Sequence, residues 1–156
     1  MRMRLSGWQA VLYGTLAVGT LDALDAIVFF GVRSGARPVR IFQGIASGLI
    51  GPAARQGGWQ TAALGVALHY FIAFGIVVTY FLVSRRVQLL TRHPVIWGLL
   101  YGLVAYAMMN LVVIPLSKIG GPTVPALPVL ANGLLIHMFG VGLPAALFAR
   151  AASQAR

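Results

Sequence analysis

Long apolar runs separated by short polar connections dominate the chain. Four of them, about residues 9–32, 59–83, 95–117 and 129–149, each hold roughly the 20 residues an α-helix needs to cross about 30 Å of hydrocarbon. They are continuous and do not alternate, which predicts helices and not barrel strands. Lipid would also leave irregular backbone without hydrogen-bond partners. A fifth apolar stretch, about residues 39–51, lies between Pro38 and Pro52 and is too short to cross. It predicts a helix that lies at the interface or dips partway in, with an ordinary surface helix as the alternative. The expectation is an all-α, integral membrane four-helix bundle. One short interfacial or re-entrant helix follows the first, and residues 1–156 form one domain.

Composition strengthens this reading. Of the 156 residues, 59% are apolar and only 9% charged, where a soluble domain carries about a quarter charged residues to keep its surface wet. The first run is expected to stay in the mature chain. It is too long for a signal peptide, two aspartates interrupt it, and no small-x-small cleavage site follows before Arg33. Cysteine is absent, which excludes disulfides, thiolate ligands and cysteine nucleophiles.

The net charge of +10 does not predict nucleic-acid binding, because the basic residues flank the helix ends. With both termini cytoplasmic, that side holds Arg2, Arg4, Arg85, Arg86, Arg92, Arg150 and Arg156. The opposite side holds Arg33, Arg37, Arg40, Arg55 and Lys118. The small excess predicts both termini inside a bacterial inner membrane. The four arginines around the short helix read either as solvated helix-end charges or as a site for lipid headgroups or an anionic ligand.

The only acidic residues, Asp22 and Asp25, both fall within the first apolar run. A carboxylate at the centre of a membrane helix costs at least about 2.5–3.5 kcal/mol on the insertion scale, and such residues face the bundle interior or water. At i, i+3 the two share a face with Thr15, Gly19 and Ala26, a stripe of small and polar residues suited to close helix approach. The second run carries His69, the third Asn110, the fourth His137, each beside small or polar neighbours. Counted at about 1.5 Å per residue, Asp22 and His69 fall at nearly one level, with Asn110 and His137 somewhat nearer the outer side. Pro144 predicts a kink in the fourth helix.

A faint duplication selects the same residues. Leu12-Tyr13-Gly14 and Ala17 recur as Leu100-Tyr101-Gly102 and Ala105, and at that offset Asp22 matches Asn110. His69-Tyr70-Phe71 is similar to His137-Met138-Phe139, and Ala46-Ser47-Gly48-Leu49 to Ala131-Asn132-Gly133-Leu134. Repeats in membrane proteins often place a binding site at their interface.

Asp22, Asp25, His69, Asn110 and His137 therefore form the candidate ligand or proton site, with Gln43, Tyr70, Tyr80 and Tyr106 as supporting groups. Carboxylates and imidazoles in a low-dielectric interior can trade protons, which makes proton- or ion-linked transport of a small solute the leading expectation. A divalent metal held by Asp22, Asp25, His69 and His137 is a second reading. Haem ligated by His69 and His137 is a third. A purely structural role sets His69 against Asp22 and His137 against Asn110 as interhelical bonds. Such bonds average only about 0.6 kcal/mol, a small return for burying an acid. No soluble active site is visible. The small-residue faces also fit a homo-oligomer or a subunit of a larger membrane complex.

Leu21-Asp22-x-x-Asp25, Gln43-Gly44-Ile45-Ala46-Ser47-Gly48, Leu68-His69-Tyr70-Phe71-Ile72-Ala73-Phe74 and Met109-Asn110 together resemble small, uncharacterised four-helix proteins of bacterial inner membranes. The resemblance implies a bacterial membrane location and brings neither an activity nor a functional residue with it.

Overall fold

The computed structural model describes residues 5–120 and 125–153. Arg2, Arg4 and Arg156 of the charge balance, and Gly121 and Pro122 of the loop before the fourth long helix, lie outside them. Among the described residues the chain is helical throughout, without strands. Four helices are long and apolar enough to cross a membrane: α1 (Gly7–Ser34), α3 (Gly58–Arg86), α5 (Pro94–Leu116) and α6 (Leu127–Ser153). Between α1 and α3 lie the short α2 (Pro38–Ile50) and a tight turn, Pro52–Gln56. A single turn, α4 (Leu89–Arg92), joins α3 to α5.

The boundaries follow local chemistry. Ser6 caps α1 through a capping box with Gln9, which satisfies two otherwise orphaned N–H groups. Gly35 ends the helix at φ 66°, and the N–H groups of Gly35 and Ala36 return to Gly31 and Phe30. Only glycine adopts that left-handed cap without strain. Pro38 and Pro94 open α2 and α5, where a missing N–H costs nothing.

The outward surface is apolar. Val32, Leu116, Trp59, Phe71 and Leu111 are each at least 70% exposed, far more apolar surface than water tolerates. Trp8 and Trp59 are exposed in the first turns of α1 and α3, the interfacial level where tryptophan collects. The architecture is that of a multi-pass membrane protein in a lipid bilayer.

Packing is uneven along the bundle. Near the termini, α6 presents buried Ala145, Ala146, Ala149 and Ala152, and α5 presents Gly98, Gly102 and Ala105. A methyl group on Gly102 would run into the His137 carbonyl, and one on Gly142 into that of Gly98. The α5–α6 contact is thus backbone against backbone, the membrane use of small residues. Toward the other end α5 and α6 each widen into a π-helical segment, Met109–Val113 and His137–Gly142. Pro115 and Pro144 follow closely, and each removes a backbone donor and crowds the carbonyl four residues back. Beyond these segments neither helix buries a residue, so the bundle opens at this end.

The short helix fills part of that opening. It lies along the first turns of α3, where a side chain on Gly65 would strike the Phe42 carbonyl. Buried Gln43 donates to the Gly58 carbonyl at 2.9 Å, and Arg40 donates to the Arg55 carbonyl at 2.6 Å. Gly48 accepts from the backbone of Lys118 at 2.8 Å, which ties α2 to the end of α5.

Candidate functional site

Opening α5 and α6 away from α1 and α3 leaves a cavity of about 840 Å³ in the half of the bundle nearer α2. The helices α1, α2, α3, α5 and α6 contribute to its largely apolar wall. Its base is Val18, Ala73 and Val141, which belong to the packed core with Val77 and Tyr80. Ser34, Arg40, Arg55, Ser117 and Pro125 lie on the wall at the opposite end. Asp22, Asp25, His69, Tyr106, Asn110 and His137 all line it.

Asp22 and His69 face each other across the α1–α3 contact. Asp22 Oδ2 stands 3.9 Å from His69 Nδ1, and the imidazole is the more enclosed of the two. The other ring nitrogen, Nε2, donates to the Gly19 carbonyl at 2.7 Å. Glycine at position 19 makes this approach possible. Any side chain there would collide with the Tyr70 ring, which packs edge-on against His69. Phe42 of α2 covers the imidazole from a further side.

Asp25, one turn on, is engaged differently. Its Oδ2 accepts a 2.6 Å hydrogen bond from Asn132 Nδ2 of α6. Asn110 and His137 do not bond each other. Asn110 Nδ2 donates to the Tyr106 carbonyl at 2.9 Å, and His137 Nδ1 to the Gly133 carbonyl at 2.9 Å. Each polar side chain therefore sits in a π-helical segment and satisfies the carbonyl four residues back in its own helix. The rings of Tyr106 and His137 meet edge to face with centroids 5.3 Å apart.

Three of the supporting residues lie off the cavity wall. Gln43 braces α2 against the start of α3. Tyr70 shares a 2.9 Å hydrogen bond with Thr20. Tyr80 is buried toward the termini, where its hydroxyl donates to the Leu90 carbonyl and its ring packs on Tyr101. In each case a polar tip on an apolar helix meets a local backbone or hydroxyl partner, which sequence position does not reveal.

Among the described residues no three His, Asp or Glu side chains converge closely enough to hold a metal ion. The set Asp22, Asp25, His69 and His137 shares a cavity without forming a coordination shell. For haem, His69 already directs one ring nitrogen to Gly19 and the other toward Asp22, so of the two imidazoles only His137 keeps a nitrogen free of these contacts. Asn132 is the residue that hydropathy passed over. Its signals were an amide in an otherwise apolar run and its place opposite Ser47 in the faint duplication.

No protein-family model, curated protein or solved structure matches this chain.

Proposed function

We propose that the chain moves a small solute across the bilayer in step with a proton held between Asp22 and His69. The observation that carries this reading is the fixed tautomer of His69. A carbonyl oxygen only accepts, so Nε2 keeps its hydrogen toward Gly19 and Nδ1 becomes the variable position, facing Asp22. Without a proton, a carboxylate and a nitrogen lone pair face each other and repel. With one, they become an imidazolium–carboxylate pair or a neutral acid beside a neutral imidazole. The pair is thus a one-proton site on the wall of a ligand-sized cavity.

Access supports the same reading. The cavity reaches the α2 end, whereas Val18, Val77, Val141 and Tyr80 fill the way to the other end. A site open to one side at a time is what coupled transport requires. The π-helical segments and Pro144 supply the bendable joints beside that barrier.

Proteoliposomes enclosing a pH-sensitive dye test this reading. Under an imposed pH gradient, with potential clamped by potassium and valinomycin, proton movement should exceed that of empty vesicles and disappear in Asp22→Asn. Infrared difference spectra between acid and alkaline buffer give an independent readout. Asp22 and Asp25 are the only acidic side chains of the sequence, so the Asp22 carbonyl band is assignable by its loss in Asp22→Asn. Proton flux unchanged in that variant removes the proposal.

A further inference from the structure

Two arginines stand on the cavity wall at its α2 end, Arg40 and Arg55. Arg40 is held in place. Its Nη1 donates to the Arg55 carbonyl at 2.6 Å and reaches Gln43 Oε1 at 3.4 Å, which leaves most of its five donors unused. Arg55 makes no side-chain hydrogen bond among the described residues. Neither has an acid beside it. The chain has only Asp22 and Asp25, and these lie roughly 13–18 Å deeper, counted at the helical rise from Ser34. Guanidinium groups without carboxylate partners, at the mouth of an apolar cavity, present a strong positive potential to whatever enters.

Below the arginines the wall is apolar, with Phe29, Ile41, Ile45, Ile72, Val113 and Val129 among its residues. An inorganic anion would satisfy the arginines and leave this surface unmatched. A lipophilic cation would suit the aspartates and be repelled at the mouth. A molecule with an anionic head and an apolar body matches both. The volume of about 840 Å³ accommodates one, at the upper end of the range for small-molecule pockets.

The route in points the same way. α3 packs against α1, α2 and α6, but meets α5 through Tyr101, whose hydroxyl donates to the Ile76 carbonyl and whose ring packs on Tyr80. Those contacts lie at the inner end of the cavity, where Ile76 is on the wall. On the cavity side, among the described residues, α3 and α5 are not a closely packed pair. An amphiphile resting in the leaflet holds its head at the level of the helix ends, where Arg40 and Arg55 stand, and its tail at the level of the cavity's apolar wall.

We infer that the cavity binds an amphiphile with a single anionic oxygen-bearing head, carboxylate or phosphate. The head lies on Arg40 and Arg55, and the apolar body runs inward toward Asp22 and His69. The inference rests on reading the cavity as a solute site and names that solute's class. Its test is equilibrium binding, which does not depend on proton movement.

Calorimetric titrations into phosphatidylcholine nanodiscs, with empty discs as reference, should show saturable binding of decanoate and none of decanol, decyltrimethylammonium or inorganic phosphate. Arg55→Gln, at an exposed position, should weaken decanoate binding about tenfold or more, the loss of one charge-assisted contact, and Arg55→Lys should restore part of it. Repeating the titration in phosphatidylglycerol discs separates the sources of the head. Competition identifies a membrane phospholipid as the occupant, and undiminished binding identifies a free carboxylate. Both outcomes leave the anionic head in place. Absent decanoate binding, equal binding by Arg55→Gln, or preference for the ammonium probe would overturn the inference. Loss of proton flux in Asp22→Asn with no decanoate binding would sink this assignment alone. Arg55-dependent binding with unchanged flux in Asp22→Asn would sink the proton reading alone.

Discussion

The bond from Asn132 Nδ2 to Asp25 Oδ2 joins the first long helix to the last, and its 2.6 Å length allows its strength to be argued. Side-chain bonds between membrane helices average about 0.6 kcal/mol and reach about 1.7. Bonds to an ionised group contribute about 1.5–3 kcal/mol. Among the described residues Asn132 is the only donor that reaches the Asp25 side chain. Truncating Asn132 to Ala therefore leaves the acid without a partner. Because both groups are only partly buried, the low end applies, and the coupling energy should be about 1.5 kcal/mol. The assay is unfolding by sodium dodecyl sulfate in mixed micelles, followed by tryptophan fluorescence. It is applied to the wild type, Asp25→Ala, Asn132→Ala and the double variant as a cycle. A coupling of about 0.6 kcal/mol or less, the ordinary membrane average, would refute the argument that the bond serves an ionised Asp25. Asn132→Asp extends the test. It sets two carboxylates face to face, which repel when both are ionised and hold together when they share a proton. That variant should be less stable than the wild type at alkaline pH and recover on acidification.

Two further outcomes follow from the packing. Gly102→Ala should destabilise the bundle by about 1–3 kcal/mol, the range for overpacking, because its methyl meets the His137 carbonyl, whereas Gly75→Ala, with open space around it, should be near neutral in the same unfolding assay. Val129 lines the cavity and the chain has no cysteine, so Val129→Cys should react with a small water-soluble maleimide added from the α2 side; no reaction there would mean that water does not reach the wall.

Much of the architecture was legible because membrane helices announce themselves by length and continuity. Pro38 and Gly51-Pro52 likewise bracket α2 in the sequence. The two aspartates and His69 could be singled out because a polar side chain in an apolar run is costly wherever it lies. What such a cost does not encode is the partner. Asp25 meets Asn132 from the far end of the chain, and Asn110 and His137 turn to their own backbone, since nothing in an apolar pattern distinguishes a bond across helices from a bond along one. Tyr80 and Gln43 were grouped with the cavity for their polarity, yet each is used up locally, by Leu90 and by Gly58. The π-helical segments were half visible. Pro144 predicted a bend in α6, but a proline does not reveal whether the chain kinks, widens or does both. The arginines around α2 read from the sequence either as solvated helix-end charges or as an anion site, and Arg40 and Arg55 acquire a specific setting only because α2 folds back along α3.

The hub of the molecule is α6, which packs against α1, α3, α4 and α5. It also follows the other three long helices in the chain, and chains emerge from the ribosome N-terminus first. Three spans must wait in the translocon or the bilayer before the element that unites them exists, and during that interval Asp25 has no amide to meet it. Packing of α6 therefore closes the four-helix bundle once the other three long helices are in place. A nascent chain stalled before Asn132 would present the quality-control proteases with an acid in lipid and no means of hiding it.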